Sequence, residues 1–248
     1  MIAMTTTDDE ALVAPAAPAG RRALLIGASR GLGLALAQEW RRQGWHTVAT
    51  VRGAARTALH DLAGEPGEPA IEIETLDVTL PEQISALRER LASRVFDLLF
   101  VNAGVTGPSE DTVAETSDEE FVRVMVTNAL APLRVIEALQ DLVTPTGMIG
   151  VMSSGQGSVA GNERGGHEVY RGSKAALNTF MRSYAARHRT DLRTLVLMAP
   201  GWVRTDLGGP GARLSVEESI PNVVKTLESL QGRGGLHYVD YLNRTVAW

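Results

Sequence analysis

Cysteine is absent from all 248 residues, which excludes disulfides and thiol nucleophiles. Lysine is almost absent: of 24 basic residues, Lys174 and Lys225 are the lysines and the rest are arginines. No apolar run approaches the ~18 residues needed to span a bilayer, and a net charge of −5 gives no general attraction to nucleic acid or anionic membrane. The five histidines are scattered, with no HExxH spacing, so no metal site is expected. Residues 1–20 combine a threonine run, the acidic Asp8-Asp9-Glu10 cluster and an Ala/Pro stretch. With no basic start leading into an apolar block, this reads as a flexible tail rather than a secretory signal, and the cytoplasm is the expected location.

What is present is an alternation of short apolar runs and longer amphipathic stretches. Strands are expected at 23–26, 47–51, 71–76, 96–101, 148–152, 195–198 and, weakly, 236–239. Helices are expected at 31–43, 81–93, 118–142, 170–187 and 216–230. The strand runs are continuously apolar, as when helices cover both faces of a sheet. Strands alternating with helices predict an α/β fold with a parallel, doubly wound sheet. No Pro/Gly/Ser linker divides residues 21–248, so one domain is expected there. Thr79, Ser117 and Ser215 each precede acidic residues and are expected helix N-caps.

The first strand runs into Gly27-Ala28-Ser29-Arg30-Gly31-Leu32-Gly33 and then a helix. Glycines there let a backbone approach a pyrophosphate, which the helix N-terminus attracts. The spacing is G-x-x-x-G-x-G rather than G-x-G-x-x-G. The same residues also satisfy G-x-S-x-G, a hydrolase nucleophile elbow, with Ser29 as nucleophile and Asp206 and His237 as partners. That alternative lacks an earlier strand and loop to supply an oxyanion donor. The second strand ends in Arg52, where an NAD enzyme would carry a carboxylate for the ribose 2′-hydroxyl. Arg52 and Arg30 instead suit a 2′-phosphate, favouring NADP(H) over NAD(H).

Tyr170 and Lys174 stand four apart at the start of a helix and share one face. With so few lysines, a chance Tyr-x-x-x-Lys has a probability of roughly 3%, so the pair is read as chemistry. A neighbouring ammonium is expected to lower the phenol's pKa from its ordinary value near ~10, allowing proton exchange with a substrate oxygen. Ser153-Ser154 ends a strand where open α/β sheets bind ligands, and a hydroxyl there can polarise that oxygen. Spacing alone leaves the choice between the two serines open. Residues 155–169 and 202–214 are expected to line a substrate pocket, the second as a small or mobile lid. Trp202, His167 and Glu168 are candidate contacts whose simpler reading is loop structure. The helix over 170–187 carries Leu177, Phe180, Met181 and Tyr184, enough for a sheet-facing side and a homodimer contact.

These motifs together resemble the short-chain dehydrogenase/reductase family over nearly all of residues 21–248. Gly27, Gly31 and Gly33 match its glycine turn, Asp77-Val78 its adenine-contacting pair, and Asn102-Ala103-Gly104 its Asn-Ala-Gly. Asn128, Ser154, Tyr170 and Lys174 match its catalytic tetrad. Pro200-Gly201, with Val203 and Thr205, matches the loop that embraces the nicotinamide, while Ser29, Arg30 and Leu32 complete the phosphate turn. The stretches around Ser153–Ser158, Tyr170–Asn178 and Pro200–Asp206 look like the C-factor-like and sniffer-like carbonyl reductases, as does the fifteen-residue gap between Ser154 and Tyr170. Ile26 and Val101 depart from the family's usual Thr and Asn at positions that support backbone. The resemblance implies a Rossmann-type fold and NADP(H)-dependent interconversion of a small carbonyl compound and its alcohol. In that reaction Tyr170 gives the proton, Ser154 orients the carbonyl, Lys174 also holds the nicotinamide ribose, and Asn128 supports Lys174. A non-catalytic, cofactor-binding signalling role is the alternative that the C-factor likeness raises.

Overall fold

The computed structural model describes residues 20–67, 69–107 and 112–248. Except for Gly20, the expected N-terminal tail lies outside the described residues. The strands are β1 (Arg22–Ile26), β2 (His46–Val51), β3 (Ile71–Thr75), β4 (Phe96–Val101), β5 (Val143–Met152), β6 (Thr194–Ala199) and β7 (Gly235–Asp240). The helices are α1 (Gly31–Arg42), α2 (Ala58–Gly64), α3 (Pro81–Arg90), α4 (Asp118–Met125), α5 (Ala131–Leu139), α6 (Glu168–Arg187) and α7 (Val216–Leu230). All the strands pair in parallel, in the order β3-β2-β1-β4-β5-β6-β7. The chain reverses its direction of travel between β1 and β4, and the carboxyl ends of strands beside such a switch form a ligand crevice.

The apolar runs follow from burial on both faces. Leu24 and Ile26 of β1 enter one core with Leu99 and Val101 of β4 and Leu177 and Met181 of α6. Ala23 and Leu25 enter the other with Leu98 and Phe100, Leu36 and Trp40 of α1, and Val223 and Leu227 of α7. A buried side chain of this size contributes roughly 1.5–3 kcal/mol, so alternate residues of one strand tie it to both helical layers. On α6, Leu177, Met181 and Tyr184 are buried while Phe180 faces outward.

Several elements differ from the sequence-based expectation. Helix α2 was not expected; it is short, but Thr57 and His60 close a capping box at its start. The single helix expected over 118–142 is instead α4, a π-helical turn at Val126–Leu130, α5 and a 3-10 turn. Such a turn carries an extra residue per turn and re-aims the side chains it holds, here Asn128. Thr79 is not the cap of α3: the N-cap is Leu80, and the Thr79 hydroxyl donates to Asp77 Oδ1 (2.7 Å). Ser117 and Ser215 do cap α4 and α7, accepting from Glu120 and Glu218 backbone N–H groups.

Candidate active site

Three chain crossings build the crevice, at the carboxyl ends of β1, β4 and β5. In the β1–α1 turn, Gly27 N–H donates to Thr50 Oγ1 (2.9 Å) and Gly27 O accepts from Asn102 Nδ2 (2.7 Å). Asn102 thus locks the glycine turn to the end of β4. Thr50 was not singled out from sequence; its signal is a polar side chain wholly buried in an apolar strand. A Cβ on Gly33 would sit 2.0 Å from Gly27 O, so packing requires that glycine. Gly31 is required by its backbone, at φ +57°, while the space beside it is open apart from Thr205. The N-cap residue of α1, Arg30, makes no side-chain cap, and no acidic residue occupies the first turn. The first N–H groups of α1, in Gly31, Leu32 and Gly33, therefore have no helical acceptor and suit an anion. Arg30 and Arg52 are exposed, Arg30 lying 3.2 Å from Asp206.

Farther along, Asp77 Oδ1 accepts from the Thr79 N–H and hydroxyl, Gln83 accepts from the Asp77 N–H, and Val78 is buried. The loop after β6 holds Pro200, Gly201, Val203 and Thr205. It is closed by Arg204 N–H to Leu214 O and by Trp202 Nε1 to Gly208 O (2.8 Å). The stretch 202–214, expected as a small or mobile lid, has its own hydrogen bonds and is not a bare glycine loop. Trp202 remains half exposed.

The β5–α6 crossing holds the candidate catalytic groups. Asn128, fully buried, accepts from Val105 N–H (2.8 Å) and donates to Val105 O and to Ser173 Oγ (3.0 Å). A Cβ on Gly104 would lie 3.3 Å from Asn128 Oδ1 and 3.6 Å from Lys174 Nζ, so Asn128, Gly104 and Lys174 meet at one point. The Lys174 ammonium donates to Met152 O (2.9 Å) and lies 5.8 Å from the Tyr170 ring centre. Burial lowers its pKa to about 8. The two serines separate cleanly. Ser153 is buried and donates to Asn178 Oδ1 (2.6 Å), whereas the Ser154 hydroxyl reaches the Tyr170 phenol.

Burial is the largest influence on Tyr170 and raises its pKa, with the nearby Ser154 hydroxyl pulling the other way. The expected lowering by Lys174 is thus not what this arrangement gives: the ammonium donates to the Met152 carbonyl, and desolvation dominates both groups. His167 stands at the N-cap position of α6 in the left-handed region, at φ 51°, without a side-chain cap bond, and Glu168 accepts from Val113 N–H (2.8 Å).

The hydrolase constellation is not assembled. Ser29 follows β1 and His237 lies on β7, four strand spacings apart, or about 19 Å across the sheet. Asp206 pairs with Arg30 instead. Among the described residues no group of three potential metal ligands occurs, and no helix is long and apolar enough to cross a membrane.

A family model described as enoyl-(acyl carrier protein) reductase matches residues 27–225. The C-signal protein of Myxococcus xanthus is 34% identical over 154 residues, covering 61% of this chain and 92% of that one. A solved structure described as a short-chain dehydrogenase/reductase from Burkholderia multivorans with bound NADP is 57% identical, with a TM-score of 0.90, covering 92% of this chain and 100% of that one. The carbonyl reductase Sniffer of D. melanogaster is 28% identical at a TM-score of 0.84, again over 92% of this chain and 100% of that one.

Proposed function

Because this chain belongs to the short-chain dehydrogenase/reductase family of oxidoreductases, we propose that it is an NADPH-dependent reductase of aldehydes or ketones. The observation that carries this reading is the convergence of Ser154, Tyr170, Lys174 and Asn128 beside the glycine turn. The preference for NADP(H) over NAD(H) rests on Arg30 and Arg52, and the Burkholderia structure that binds NADP supports it. The residues fit that cofactor: an uncapped helix start, an open face at Gly31 and two exposed guanidiniums suit a phosphate-rich ligand.

NADPH, when bound, supplies the hydride. The chain supplies the rest. Backbone N–H groups of Ser29–Gly33 hold phosphate. Asp77 and Val78 receive the adenine, and Asn102-Ala103-Gly104 with Pro200, Gly201, Val203 and Thr205 form the walls toward the nicotinamide. Tyr170 keeps its proton at neutral pH, because burial raises its pKa, and so stands as the acid that protonates the carbonyl oxygen. Ser154 donates to the same oxygen and stabilises charge developing there. Lys174 would also hold the nicotinamide ribose, and Asn128 is fixed by the Val105 backbone and the Ser173 hydroxyl.

The substrate is a small carbonyl compound, and residues 21–248 act as one catalytic domain in the cytoplasm. The C-signal likeness favours a second reading, a cofactor-binding signalling role, which has no use for an assembled Tyr-Lys-Ser cluster. Fluorescence titration with NADPH and NADH, followed by reduced-nicotinamide absorbance against a panel of aldehydes and ketones, separates the readings. Tighter NADPH binding with turnover is expected. Binding without turnover by any panel member favours the signalling role, and binding of neither cofactor overturns both.

A further inference from the structure

Ser154 has already left the sheet. The last ladder bond on its side is Ser153 N–H to Met198 O (2.8 Å), and the chain then enters the 3-10 turn Gly155–Gly157. A hydroxyl on a residue beyond the ladder keeps its aim only if other groups fix the backbone. Within the turn, Ser154 O accepts from Gly157 N–H (2.9 Å) and Ser154 Oγ from Gln156 N–H (3.1 Å). Two side chains tie the turn to the rest of the fold. Asn178 of α6 donates to Gly157 O at its far end (3.1 Å), and Tyr238 of β7 donates to Ser154 O at its near end (2.6 Å).

Resting on the assignment of Ser154 and Tyr170 above, we propose that Tyr238 is a positioning residue for Ser154. Its phenol holds the serine's carbonyl so that the hydroxyl stays turned toward Tyr170. Tyr238 reaches across β6 from the edge strand, and its ring is 3% exposed. The ring of Trp248 backs it at 5.4 Å, and the Arg182 guanidinium covers that indole at 4.7 Å. Trp248 O in turn accepts from Ala160 N–H (2.9 Å), in the segment expected to line the substrate pocket. Burial raises the Tyr238 pKa, so the group remains a donor across the neutral range. With Gly157 N–H on one lone pair and Tyr238 on the other, the Ser154 carbonyl is saturated and cannot swing without losing a bond.

The test is a double-mutant cycle with Tyr238→Phe and Ser154→Ala, measuring kcat, KM and NADPH affinity. Y238F keeps the ring and removes only the hydroxyl. It is expected to lower kcat about tenfold, through the loosened aim of the Ser154 hydroxyl, the equivalent of about one net hydrogen bond. KM for NADPH and the NADPH Kd should stay within about twofold. In the S154A background Y238F should add nothing, because the hydroxyl it positions is gone while the carbonyl it bonds remains. An additive loss, or a change in cofactor affinity in place of kcat, overturns the proposal.

A second arm needs no turnover. The chain has four tyrosines, so their ring carbons labelled with carbon-13 can be assigned with Tyr→Phe variants. Y238F and S154A should move the Tyr170 resonance in the same direction. Movement in S154A alone overturns the proposal, even for a protein that reduces nothing in the panel. Should Y238F fail to fold, Trp248→Leu removes the backing ring and should shift Tyr170 the same way. No shift in that folded variant counts against the proposal.

Discussion

The starts of α1 and α7 stand at the same end of the sheet and are built in opposite ways. Helix α7 closes its own terminus: Ser215 accepts from Glu218 N–H, Glu218 returns a bond to Ser215 N–H, and Glu217 adds charge complementary to the dipole. Helix α1 has Leu32 and Gly33 where α7 has Glu217 and Glu218, and Arg30 where α7 has Ser215. By the rules of helix stability the α1 terminus is poorly made. The difference teaches what the proposed cofactor site requires: an uncapped, acid-free helix start leaves its N–H groups available to a phosphate, whereas groups satisfied by the protein are not.

The comparison breaks most severely if Gly33 is changed. Gly33→Ala places a methyl 2.0 Å from Gly27 O. The expected cost is about 3 kcal/mol or more, read as a lower thermal midpoint together with loss of NADPH binding. An unchanged midpoint would show that the turn can shift, contrary to the geometry.

Arg30→Asp converts the α1 start into one like that of α7. It should weaken NADPH binding by roughly 100-fold, through the lost cation and the added anion, while stability holds or rises by about 1 kcal/mol from the new cap. Equal losses in affinity and stability would mean that Arg30 serves the fold and not the ligand.

Lys174 extends the contrast to the buried side of the crevice. Its folded pKa, about 8, lies below the ordinary lysine value, so its burial destabilises the fold while it is charged. Below pH 8 that penalty is fully present. Above it the unfolded chain holds the extra proton, and stability should rise by roughly 1–2 kcal/mol between pH 8 and pH 9–10. The raised pKa of Tyr170 acts in the opposite sense only at more alkaline pH, near and above the ordinary tyrosine value. Denaturant titration of wild type and Lys174→Met, which should lack the rise, checks this.

The smallest effect belongs to the well-capped helix. Ser215→Ala should cost about 1 kcal/mol of stability and leave NADPH affinity unchanged.

Much of this was legible in the sequence because it rests on local pattern. Continuous apolar runs gave the parallel sheet, and Gly27–Gly33, Tyr170 and Lys174 stood out by spacing and by scarcity of lysine. What escaped depends on distance in space. Thr50, Ser173, Asn178 and Tyr238 are ordinary residues in ordinary elements until the sheet brings them to the turn or to Ser154. The choice between Ser153 and Ser154 needed the folded path of the chain beyond β5, which sends one hydroxyl to Asn178 and the other toward Tyr170. The direction of the Tyr170 pKa escaped as well, because sequence shows a neighbouring lysine but not the depth at which both are buried.

The most direct test of the central claim is NADPH oxidation by wild type and Tyr170→Phe with a shared panel of aldehydes and ketones, with NADPH affinity measured for both proteins. The account predicts turnover by wild type, a loss of roughly 10²–10⁴-fold in Y170F, and equal NADPH binding. Turnover by Y170F at the wild-type rate would contradict it, and would remove Tyr170 as the acid at the centre of the site.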